Sequence, residues 1–334
     1  MNNKFLIIAE IGQAHDGSLG ILHSYIDALA DTGVNAIKFQ THIADAESSM
    51  HEPFRVPFSY VDKTRYDYWK RMEFTADQWL GIKQHCDDKG VEFISSPFSI
   101  EAVNLLENLN VKRYKIASGE ISNKLMLNKI RSIGKPVILS SGLSDFENLA
   151  AAINYLSEGI TDISLLQCTT MYPTPPEHVG LNVVPEYGRQ FNLPYGISDH
   201  SGTIYPCLAA AALGATIFEF HAVFDKKMFG PDSIASLDIG SIKQLVEGLK
   251  FLEIAVSNPV TKDSAKLQTL RNMFGKSIAI NKDLHAGHIL TIDDLESKKP
   301  AGFGVDAIEF EKIIGKTLSR EMNRNDFLNF DDVN

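Results

Sequence analysis

Reactive polar side chains stand at the ends of eight short apolar stretches of this chain. In chain order the polar clusters are Glu10, Lys38 with Gln40, Ser95 with Ser96, Lys115 with Ser118, Ser140 with Ser141, Thr169 to Tyr172, Ser198 with His200, and His221. Carboxylates and imidazoles transfer protons, imidazole pairs bind divalent metals, and lysine and serine bind phosphate or carboxylate oxygens. A fold that gathers these clusters at one place would build an active site, so the pattern predicts an enzyme.

The apolar stretches have the composition of parallel strands that are buried on both faces. Each is rich in Ile, Val, Leu or Phe without clear alternation, and they are Phe5–Ala9, Asn35–Phe39, Val91–Ser95, Arg113–Ala117, Pro136–Ser140, Ile163–Cys168, Pro194–Ser198 and Thr216–Phe220. Segments with helical periodicity separate them and include Ser18–Asp31, Thr75–Lys89, Ile100–Asn108, Asn123–Ile133, Ser144–Leu156, Ile204–Leu213 and Ile239–Ser257. This alternation predicts an α/β fold, a closed (β/α)8 TIM barrel whose active face lies at the carboxyl ends of the strands.

The length of 334 residues exceeds the roughly 250 residues of such a barrel, so a second, smaller domain is expected. A polar segment follows Ser257, and short strands with glycine turns come after it. The predicted domains are a barrel at 1–257, a linker at 258–274 and a small β-rich domain at 275–334. A domain of this size gains stability by docking on another surface.

One connection is unusually long and runs from Thr41 to about Phe74. It is rich in arginine and aromatic residues. Loops of this length in a compact domain are usually lids or packing insertions. The sequence leaves open whether this segment touches a substrate or is a structural or dimer-forming insertion.

Composition excludes several classes of protein. No apolar stretch approaches the about 20 residues that a membrane span needs, and the N-terminal apolar run is too short for a signal peptide. The formal net charge of −10 opposes binding to nucleic acid or an anionic membrane, so local cations must hold any anionic substrate. Cys86, Cys168 and Cys207 are unclustered. We therefore expect a cytoplasmic protein whose thiols are free and part of the core.

His200 and His221 are the candidate metal ligands. They follow neighbouring strands of the predicted barrel and can both face its mouth. A pair of imidazoles with open positions suits a divalent metal that also binds water and a substrate oxygen. Glu219 precedes His221 by two residues and shares its face if the strand continues that far.

Lys38 and Lys115 each end an apolar strand, where a solvated lysine is not expected. With Ser96, Ser118 and Ser198 they could bind the oxygens of a phosphate and a carboxylate.

Two alternatives stay open for these lysines. Lys38 could be a Schiff-base nucleophile, as in barrel aldolases. Either lysine could instead form a structural ion pair with Glu10 or Glu120. Tyr172 lies in Met-Tyr-Pro-Thr-Pro-Pro, where the prolines stiffen a loop that could hold its hydroxyl against a sugar.

Ordered motifs along the chain resemble one known family. The motifs are AEIGQAHDGSLG, IKFQTH, FISSPFS, YKIASGE, ILSSGL, LLQCTTMYPTP, GISDHSG and GPD. In this order they resemble the bacterial sialic acid synthase family, N-acetylneuraminate synthase and its nonulosonic acid relatives, and the C-terminal domain resembles their antifreeze-like, or SAF, domain. The resemblance implies a barrel that condenses phosphoenolpyruvate with an open-chain N-acetylmannosamine-type aldose. The products would be a nine-carbon 2-keto-3-deoxy sugar acid and phosphate, released by C–O cleavage.

The resemblance also implies roles for individual residues. His200 and His221 would hold Mn²⁺ or Mg²⁺, which polarises the sugar aldehyde. Phosphoenolpyruvate would be bound by Lys38, Ser96, Lys115, Ser118 and Ser198, with Gln40, Glu120 and Ser140 near it. Glu10 would orient or deprotonate the water that attacks C2, and Tyr172 and Asp232 would contact sugar hydroxyls. No covalent enzyme adduct is needed, which disfavours the Schiff-base alternative.

The chain departs from the family pattern near the acceptor sugar. Thr170 stands where an asparagine near the phosphate is common, and Lys299 lies where many members have Arg-Pro-Gly against the acyl group of the sugar. Phe220 and Ala222 make the mouth around His221 less cationic. The resemblance implies N-acetylneuraminate synthase acting on N-acetylmannosamine. The alternative is a legionaminic or pseudaminic acid synthase acting on a 2,4-diacetamido-trideoxyhexose.

The assembly implied by the resemblance is a domain-swapped homodimer, in which the SAF domain of one subunit caps the barrel mouth of the other. Two other classes of protein explain less of the sequence. A metal-dependent barrel hydrolase or lysine aldolase needs neither the SAF-like unit nor two phosphate-directed lysines. A non-catalytic carbohydrate-binding or antifreeze-like protein leaves the barrel motifs unexplained.

Overall fold

The computed structural model describes residues 5–262 and 265–334, in two compact units at 1–258 and 259–334. In the first unit, parallel strands follow one another around a closed barrel, because the first strand pairs with both the second and the eighth. The strands are β1 (Leu6–Glu10), β2 (Ala36–Thr41), β3 (Glu92–Pro97), β4 (Tyr114–Ile116), β5 (Val137–Ser140), β6 (Ile163–Cys168), β7 (Tyr195–Asp199) and β8 (Ile217–Val223). The predicted TIM barrel is confirmed.

The helices surround this barrel, and each predicted helix is present within two residues of its expected ends. They are α1 (Leu19–Ala30), α2 (Ala44–Glu47), α3 (Arg65–Met72), α4 (Ala76–Asp88), α5 (Ile100–Asn108), α6 (Lys124–Ile133), α7 (Phe146–Ser157), α8 (Val184–Phe191), α9 (Tyr205–Ala212) and α10 (Ile239–Ser257). Helix α8 was not predicted, because its sequence VPEYGRQF contains proline and glycine and reads as a loop. Within the described residues, no helix has both the length and the apolarity to cross a membrane.

Helix caps explain where two of these helices begin. Thr75, the first residue of the predicted segment, forms a capping box with Gln78 at the start of α4. The predicted start of α7 at Ser144 is wrong, because the side chain of Asp145 accepts the Asn148 N–H at 2.8 Å and is the cap. Carboxylate caps are as favourable as hydroxyl caps, so the sequence alone could not decide whether Ser144 or Asp145 is the N-cap.

The long connection after β2 contains two helices, α2 and α3, that the sequence did not predict. Thr64 begins α3 with a capping box to Asp67. Tyr68, Trp69 and Met72 of α3 form a small separate hydrophobic cluster with Ala44 of α2. The connection is therefore a packed insertion with its own core.

Side chains alternate along each strand and divide the barrel interior into layers. The lower layer is apolar and consists of Ile8, Ala36, Ile94, Ile138, Leu166 and Ile217. Two residues further along the strands, the same inward face carries Glu10 on β1, Lys38 on β2 and Glu219 on β8. The polar clusters thus stand above an apolar floor, at the carboxyl ends of the strands.

A short strand, β9 (Leu237–Asp238), extends the sheet beside β8. The second unit has helix α11 (Gln268–Phe274) and an antiparallel pair of strands, β10 (Ser277–Ile280) and β11 (Leu295–Lys298). Its core is formed by Ile278, Ile280, Leu284, Leu290, Val305, Ile313, Leu318, Met322, Leu328 and Val333. The segment predicted as a linker, 258–274, includes α11, and its residues 263–264 lie outside the described residues.

Candidate active site

A cavity of about 400 Å³ opens at the carboxyl ends of the barrel strands. Every barrel residue with a predicted role lines it: Glu10, Lys38, Gln40, Ser96, Lys115, Ser118, Glu120, Ser140, Thr170, Tyr172, Ser198, His200, His221 and Asp232. These residues come from all eight strands or from the loops that follow them. Barrel closure therefore gathers residues that are far apart in the sequence into a single polar cavity.

Glu10 stands at the centre of a buried ion cluster. Its Oε1 lies 2.5 Å from Nζ of Lys38, and its Oε2 lies 3.2 Å from Nε2 of His221. The strand register brings these three residues together, since Glu10 is the Cα partner of both Lys38 and His221. Burial opposes ionisation of Glu10, but Lys38, with His221 and Lys115, holds the pKa of Glu10 well below its usual range. Glu10 is therefore a carboxylate near neutral pH.

Lys115 and Lys38 share a second carboxylate, Glu219. Nζ of Lys115 lies 3.1 Å from Oε1 of Glu219, and Nζ of Lys38 lies 3.7 Å from the same oxygen. Strand β8 continues through both Glu219 and His221, so the two side chains share one face. Burial would lower the pKa of Lys38, but Glu10 and Glu219 outweigh it and raise the pKa. A charged ammonium is not a Schiff-base nucleophile, which disfavours that alternative. The ion-pair alternative is borne out in part, because Lys38 pairs with Glu10.

Hydroxyl groups stand beside both lysines. Nζ of Lys115 donates to Oγ of Ser140 at 2.6 Å, and Nζ of Lys38 lies 3.4 Å from Oγ of Ser96. Oγ of Ser198 donates to Glu219 at 2.8 Å. Ammonium and hydroxyl groups in this arrangement can together bind the oxygens of an anion.

The backbone approaches closely at Gly142, next to these hydroxyls. The Gly142 N–H donates to Oγ of Ser118 at 2.9 Å. A Cβ at this position would lie 2.5 Å from Oγ1 of Thr170 and 2.8 Å from Oγ of Ser118. Within the described part of the chain, the buried Oγ1 of Thr170 has no hydrogen-bond partner. A hydroxyl without a partner on the wall of a polar cavity is a ready donor to a ligand.

His200 and His221 lie side by side, with ring centroids 5.2 Å apart. Nδ1 of His200 lies 2.9 Å from the carbonyl oxygen of Thr169, so this nitrogen donates and Nε2 is the one left for a metal. Burial would lower the pKa of His200, but Cys168 and the Thr169 carbonyl outweigh it and raise the pKa to about 9, so a bound ion would have to displace the Nε2 proton. Burial lowers the pKa of His221, which favours the neutral imidazole that a metal requires. Among residues 5–262 and 265–334, no three or more His, Cys, Asp or Glu side chains group as a metal site. The pair therefore fits an ion that takes its other ligands from water and substrate.

The insertion after β2 forms one wall of the cavity through Glu52, Arg55, Arg65, Tyr68 and Trp69. The guanidinium carbon of Arg55 lies 4.0 Å from the ring centroid of Tyr172, and its Nη2 donates to Oδ1 of Asp232 at 2.6 Å. The Tyr172 ring stacks in turn on His200, with centroids 4.1 Å apart. The insertion is thus part of the cavity, where the sequence had left its role open.

Comparison with known proteins identifies the family. A family model described as "NeuB family" matches residues 25–261, which is most of the chain. The chain belongs to the NeuB family. A second model, described as "SAF domain", matches residues 275–334. The resemblance inferred from the sequence motifs is confirmed for both units.

Several relatives of this NeuB-family chain are sugar-acid synthases. The N,N'-diacetyllegionaminic acid synthase of Campylobacter jejuni is 33% identical over 331 residues, 97% of this chain and 99% of that protein. The pseudaminic acid synthase of Helicobacter pylori is 30% identical over 332 residues, 98% of this chain and 97% of that protein. A solved N-acetylneuraminic acid synthetase from Leptospira borgpetersenii is 28% identical, covering 80% of this chain and 90% of its own, with a TM-score of 0.71. The protein is therefore an enzyme of the sialic acid synthase-like family.

Several cavity residues of this NeuB-family enzyme were not singled out by the sequence. Gln13 and His42 lie within the motifs AEIGQAHDGSLG and IKFQTH, so the signal was present but unused. Arg55 gave no such signal, because its contact with the cavity depends on the path of the insertion. Cys168 is buried as predicted, but it also lines the cavity, with Sγ 3.9 Å from Nδ1 of His200.

Lys299 is the predicted site residue that belongs to the SAF domain. Its Nζ lies 5.1 Å from the ring centroid of Phe274 in the same unit. Its contact with an acyl group of the acceptor stays a prediction.

Proposed function

We propose that the enzyme condenses phosphoenolpyruvate with an open-chain N-acetylated aldose, N-acetylmannosamine in the first instance, to form N-acetylneuraminate and phosphate. The observation that carries this proposal is the convergence of Lys38, Lys115, the serine hydroxyls, Glu10 and the histidine pair in one cavity of a NeuB-family barrel. Phosphoenolpyruvate carries a phosphate and a carboxylate, and two buried ammonium groups flanked by hydroxyls suit both anions.

The two lysines bind the anionic substrate in this mechanism. Lys115 pairs with Glu219, and Lys38 pairs with Glu10 and lies near Glu219. A buried ammonium has to be neutralised, and these carboxylates compensate the charge of the lysines. The hydroxyls of Ser118 and Thr170, near Gly142, would complete the contacts to the phosphate oxygens.

His200 and His221 would hold a divalent ion, Mn²⁺ or Mg²⁺, which when bound polarises the sugar aldehyde. The neutral His221 supports this assignment, and His200 would give up its Nε2 proton when the ion binds. Tyr172 is in ring contact with both histidines, Asp232 lines the same cavity, and the two would orient the sugar through its hydroxyls. The aldehyde carbon would thereby be presented to C3 of phosphoenolpyruvate.

Glu10 would orient or deprotonate the water that attacks C2 after the new C–C bond has formed. Its carboxylate is ionised and hydrogen-bonded to the Gln40 amide, with Nε2 of Gln40 2.7 Å from Oε1 of Glu10. Loss of phosphate by cleavage of the C–O bond then releases the 2-keto-3-deoxy sugar acid. No covalent bond to the enzyme is needed at any step.

A second acceptor has its own support. The relative from Campylobacter jejuni, which is 33% identical over 97% of this chain, is a diacetyllegionaminic acid synthase. The alternative substrate is therefore a 2,4-diacetamido-2,4,6-trideoxyhexose, leading to legionaminic or pseudaminic acid.

We further propose the domain-swapped homodimer implied by the family, with Lys299 at the acyl group of the acceptor. Light scattering after size exclusion would test it, and a monomer at micromolar concentration would refute the swap.

The first experiment measures phosphate release from phosphoenolpyruvate with Mn²⁺, with N-acetylmannosamine, with the diacetamido sugar and without sugar. Release only with N-acetylmannosamine supports N-acetylneuraminate synthesis, and release only with the diacetamido sugar supports the alternative. EDTA should abolish release, and added Mn²⁺ should restore it. Release without any sugar would refute the synthase reaction and indicate a phosphatase, and release that EDTA leaves intact would refute the metal site.

A further inference from the structure

His42 is buried between two aromatic rings at the base of the insertion. Its ring centroid lies 3.9 Å from that of Trp69 at an interplanar angle of 18°, and 4.5 Å from that of Phe98 at 11°. The residue is only 4% exposed. Stacking on both faces leaves the imidazole free to interact only through its edge, where its two nitrogens lie.

Both ring nitrogens of His42 have polar partners. Nδ1 lies 2.6 Å from Oε1 of Glu47, and Nε2 lies 3.1 Å from Oε1 of Gln40. The Gln40 oxygen is an acceptor, so Nε2 is the donor in that contact, and the short contact between Nδ1 and the Glu47 carboxylate holds a second hydrogen between those two groups. Nε2 of Gln13 is also 3.1 Å from Nε2 of His42, and the Gln13 amide donates to the same Gln40 oxygen. Two donors therefore converge on the carbonyl end of the Gln40 side chain.

This convergence decides which end of the Gln40 amide faces Glu10. The oxygen and nitrogen ends of an amide have nearly the same shape, so the hydrogen-bond partners decide between them. With its oxygen held by His42 and Gln13, Gln40 presents Nε2 to Oε1 of Glu10 at 2.7 Å. If the Gln40 amide were reversed, its oxygen would face the Glu10 carboxylate and its N–H groups would face the two donors, His42 and Gln13. Each of these contacts is unfavourable in a buried site.

We propose that His42 is a positioning residue for the condensation reaction: its Nε2–H fixes the Gln40 amide, which in turn holds the Glu10 carboxylate toward the attacking water. This inference rests on the proposed function, in which Glu10 acts on that water. Glu47 holds the His42 ring in the required rotation through Nδ1. The other oxygen of Glu47 is buried without a partner in the described residues, so His42 is the contact that compensates this carboxylate.

Two amide substitutions separate a positioning role from a structural one. In His42→Gln, the side-chain Nε2 can occupy the place of the imidazole Nε2 and donate to Gln40, but the contact with Glu47 is lost. In His42→Asn, the shorter side chain reaches the place of Nδ1 and can donate to Glu47, but the contact with Gln40 is lost. The two variants lose the same aromatic stacking and differ in which hydrogen bond they keep.

The proposal predicts that, of the two His42 variants, the more active one is the less stable one. Because a misplacement of about 1 Å can cost roughly 100-fold in rate, kcat of His42→Asn should fall about 10- to 100-fold. The KM of phosphoenolpyruvate should stay within about threefold, since the lysine and serine contacts are untouched. His42→Gln should keep kcat within about threefold of the parent while having the lower melting temperature. A merely structural role predicts that the more stable variant, His42→Asn, keeps more activity, and that result would overturn the proposal.

Crystal structures of the two variants test the same point without turnover. The Gln40 Nε2 to Glu10 Oε1 contact should persist in His42→Gln and break in His42→Asn. Its persistence in both variants would refute the positioning role, even if the parent enzyme turned over no acceptor that was tried. Absence of turnover in the parent would instead refute the proposed function and leave this structural result to decide the role of His42.

Discussion

Acid should destabilise the barrel through His15, which lies in the loop after β1. The residue is 4% exposed and packs against Phe74, with ring centroids 5.0 Å apart. Its Nδ1 accepts the Gly17 N–H at 3.0 Å, a contact that needs the lone pair of a neutral imidazole. Burial, with His42 and Arg71 nearby, lowers the pKa of His15 to about 3. In the unfolded chain the pKa returns to about 6.5.

The sign and size of the effect follow from these two values. Between pH 6.5 and pH 3 the unfolded chain binds a proton at His15 that the folded barrel does not, so protonation favours unfolding. The stabilisation is fully present above the unfolded pKa and is lost as the pH falls. At pH 5 the unfolded form is favoured by a factor of about 30, which corresponds to about 2 kcal/mol. Because pH 5 lies above the folded pKa, this figure depends on the unfolded pKa alone.

Urea unfolding of the parent and of His15→Asn at pH 7.5 and pH 5 would test this value. The asparagine Oδ1 can accept the Gly17 N–H in place of Nδ1, and it does not titrate. The difference in unfolding free energy between the two proteins should therefore shrink by about 2 kcal/mol between the two pH values. A difference that stays constant would mean that His15 is not buried as a neutral imidazole, and the reasoning would fail.

Three further predictions concern the cavity and the SAF domain. Arg55→Ala should raise the KM of the acceptor about tenfold and leave that of phosphoenolpyruvate unchanged, since Arg55 holds the proposed sugar contacts. Gly142→Ala should raise the KM of phosphoenolpyruvate, because a Cβ there would lie 2.5 Å from a cavity hydroxyl. Asp294→Asn should destabilise the SAF domain by roughly 1.5–3 kcal/mol, as seen by urea unfolding, because charge-assisted hydrogen bonds to a buried carboxylate are lost.

The two cavity variants, Arg55→Ala and Gly142→Ala, each have a matched control and a contrary outcome. Arg189→Ala removes an exposed arginine paired with Glu186 and should change neither KM. Equal changes in both KM values for Arg55→Ala would refute its assignment to the acceptor. Gly81→Ala adds a Cβ with no neighbour within 4 Å in α4, so kinetics should be unchanged. An unchanged KM in Gly142→Ala would mean that the phosphoenolpyruvate phosphate binds elsewhere.

The carboxylate of Asp294 also makes the SAF domain sensitive to acid. Burial would raise its pKa, but hydrogen bonds from Lys282, His288 and Thr291 outweigh it and hold the pKa well below its usual range. The stabilisation is present above the unfolded pKa of about 4 and falls as the pH drops below that value. In Asp294→Asn this part of the acid dependence should be absent. If the parent and the variant lose stability equally in acid, the carboxylate does not have the lowered pKa.

The barrel and most of the site could be predicted because their signals are local. The apolar part of a strand and the polar residue near its end, such as Ile94 and Ser96 on β3, lie only two residues apart in the sequence. The strand period of two then directs both side chains to the barrel interior. Predictions failed where local signals were ambiguous, as at the start of α7, or conflicted with the final structure, as in α8, where proline and glycine read as a loop.

By itself, the sequence determined the order of the eight barrel strands, most of the helices between them, and the set of polar residues at the carboxyl ends of the strands. Only the tertiary structure decided their partners: Lys38 with Glu10, Lys115 with Glu219, and His42 with Glu47 and Gln40. The physical reason is that inward direction depends on neighbours along one strand, whereas contact between side chains depends on barrel closure and strand register. The contacts of the insertion also depend on tertiary packing, because its packed core determines where Arg55 and Trp69 line the cavity.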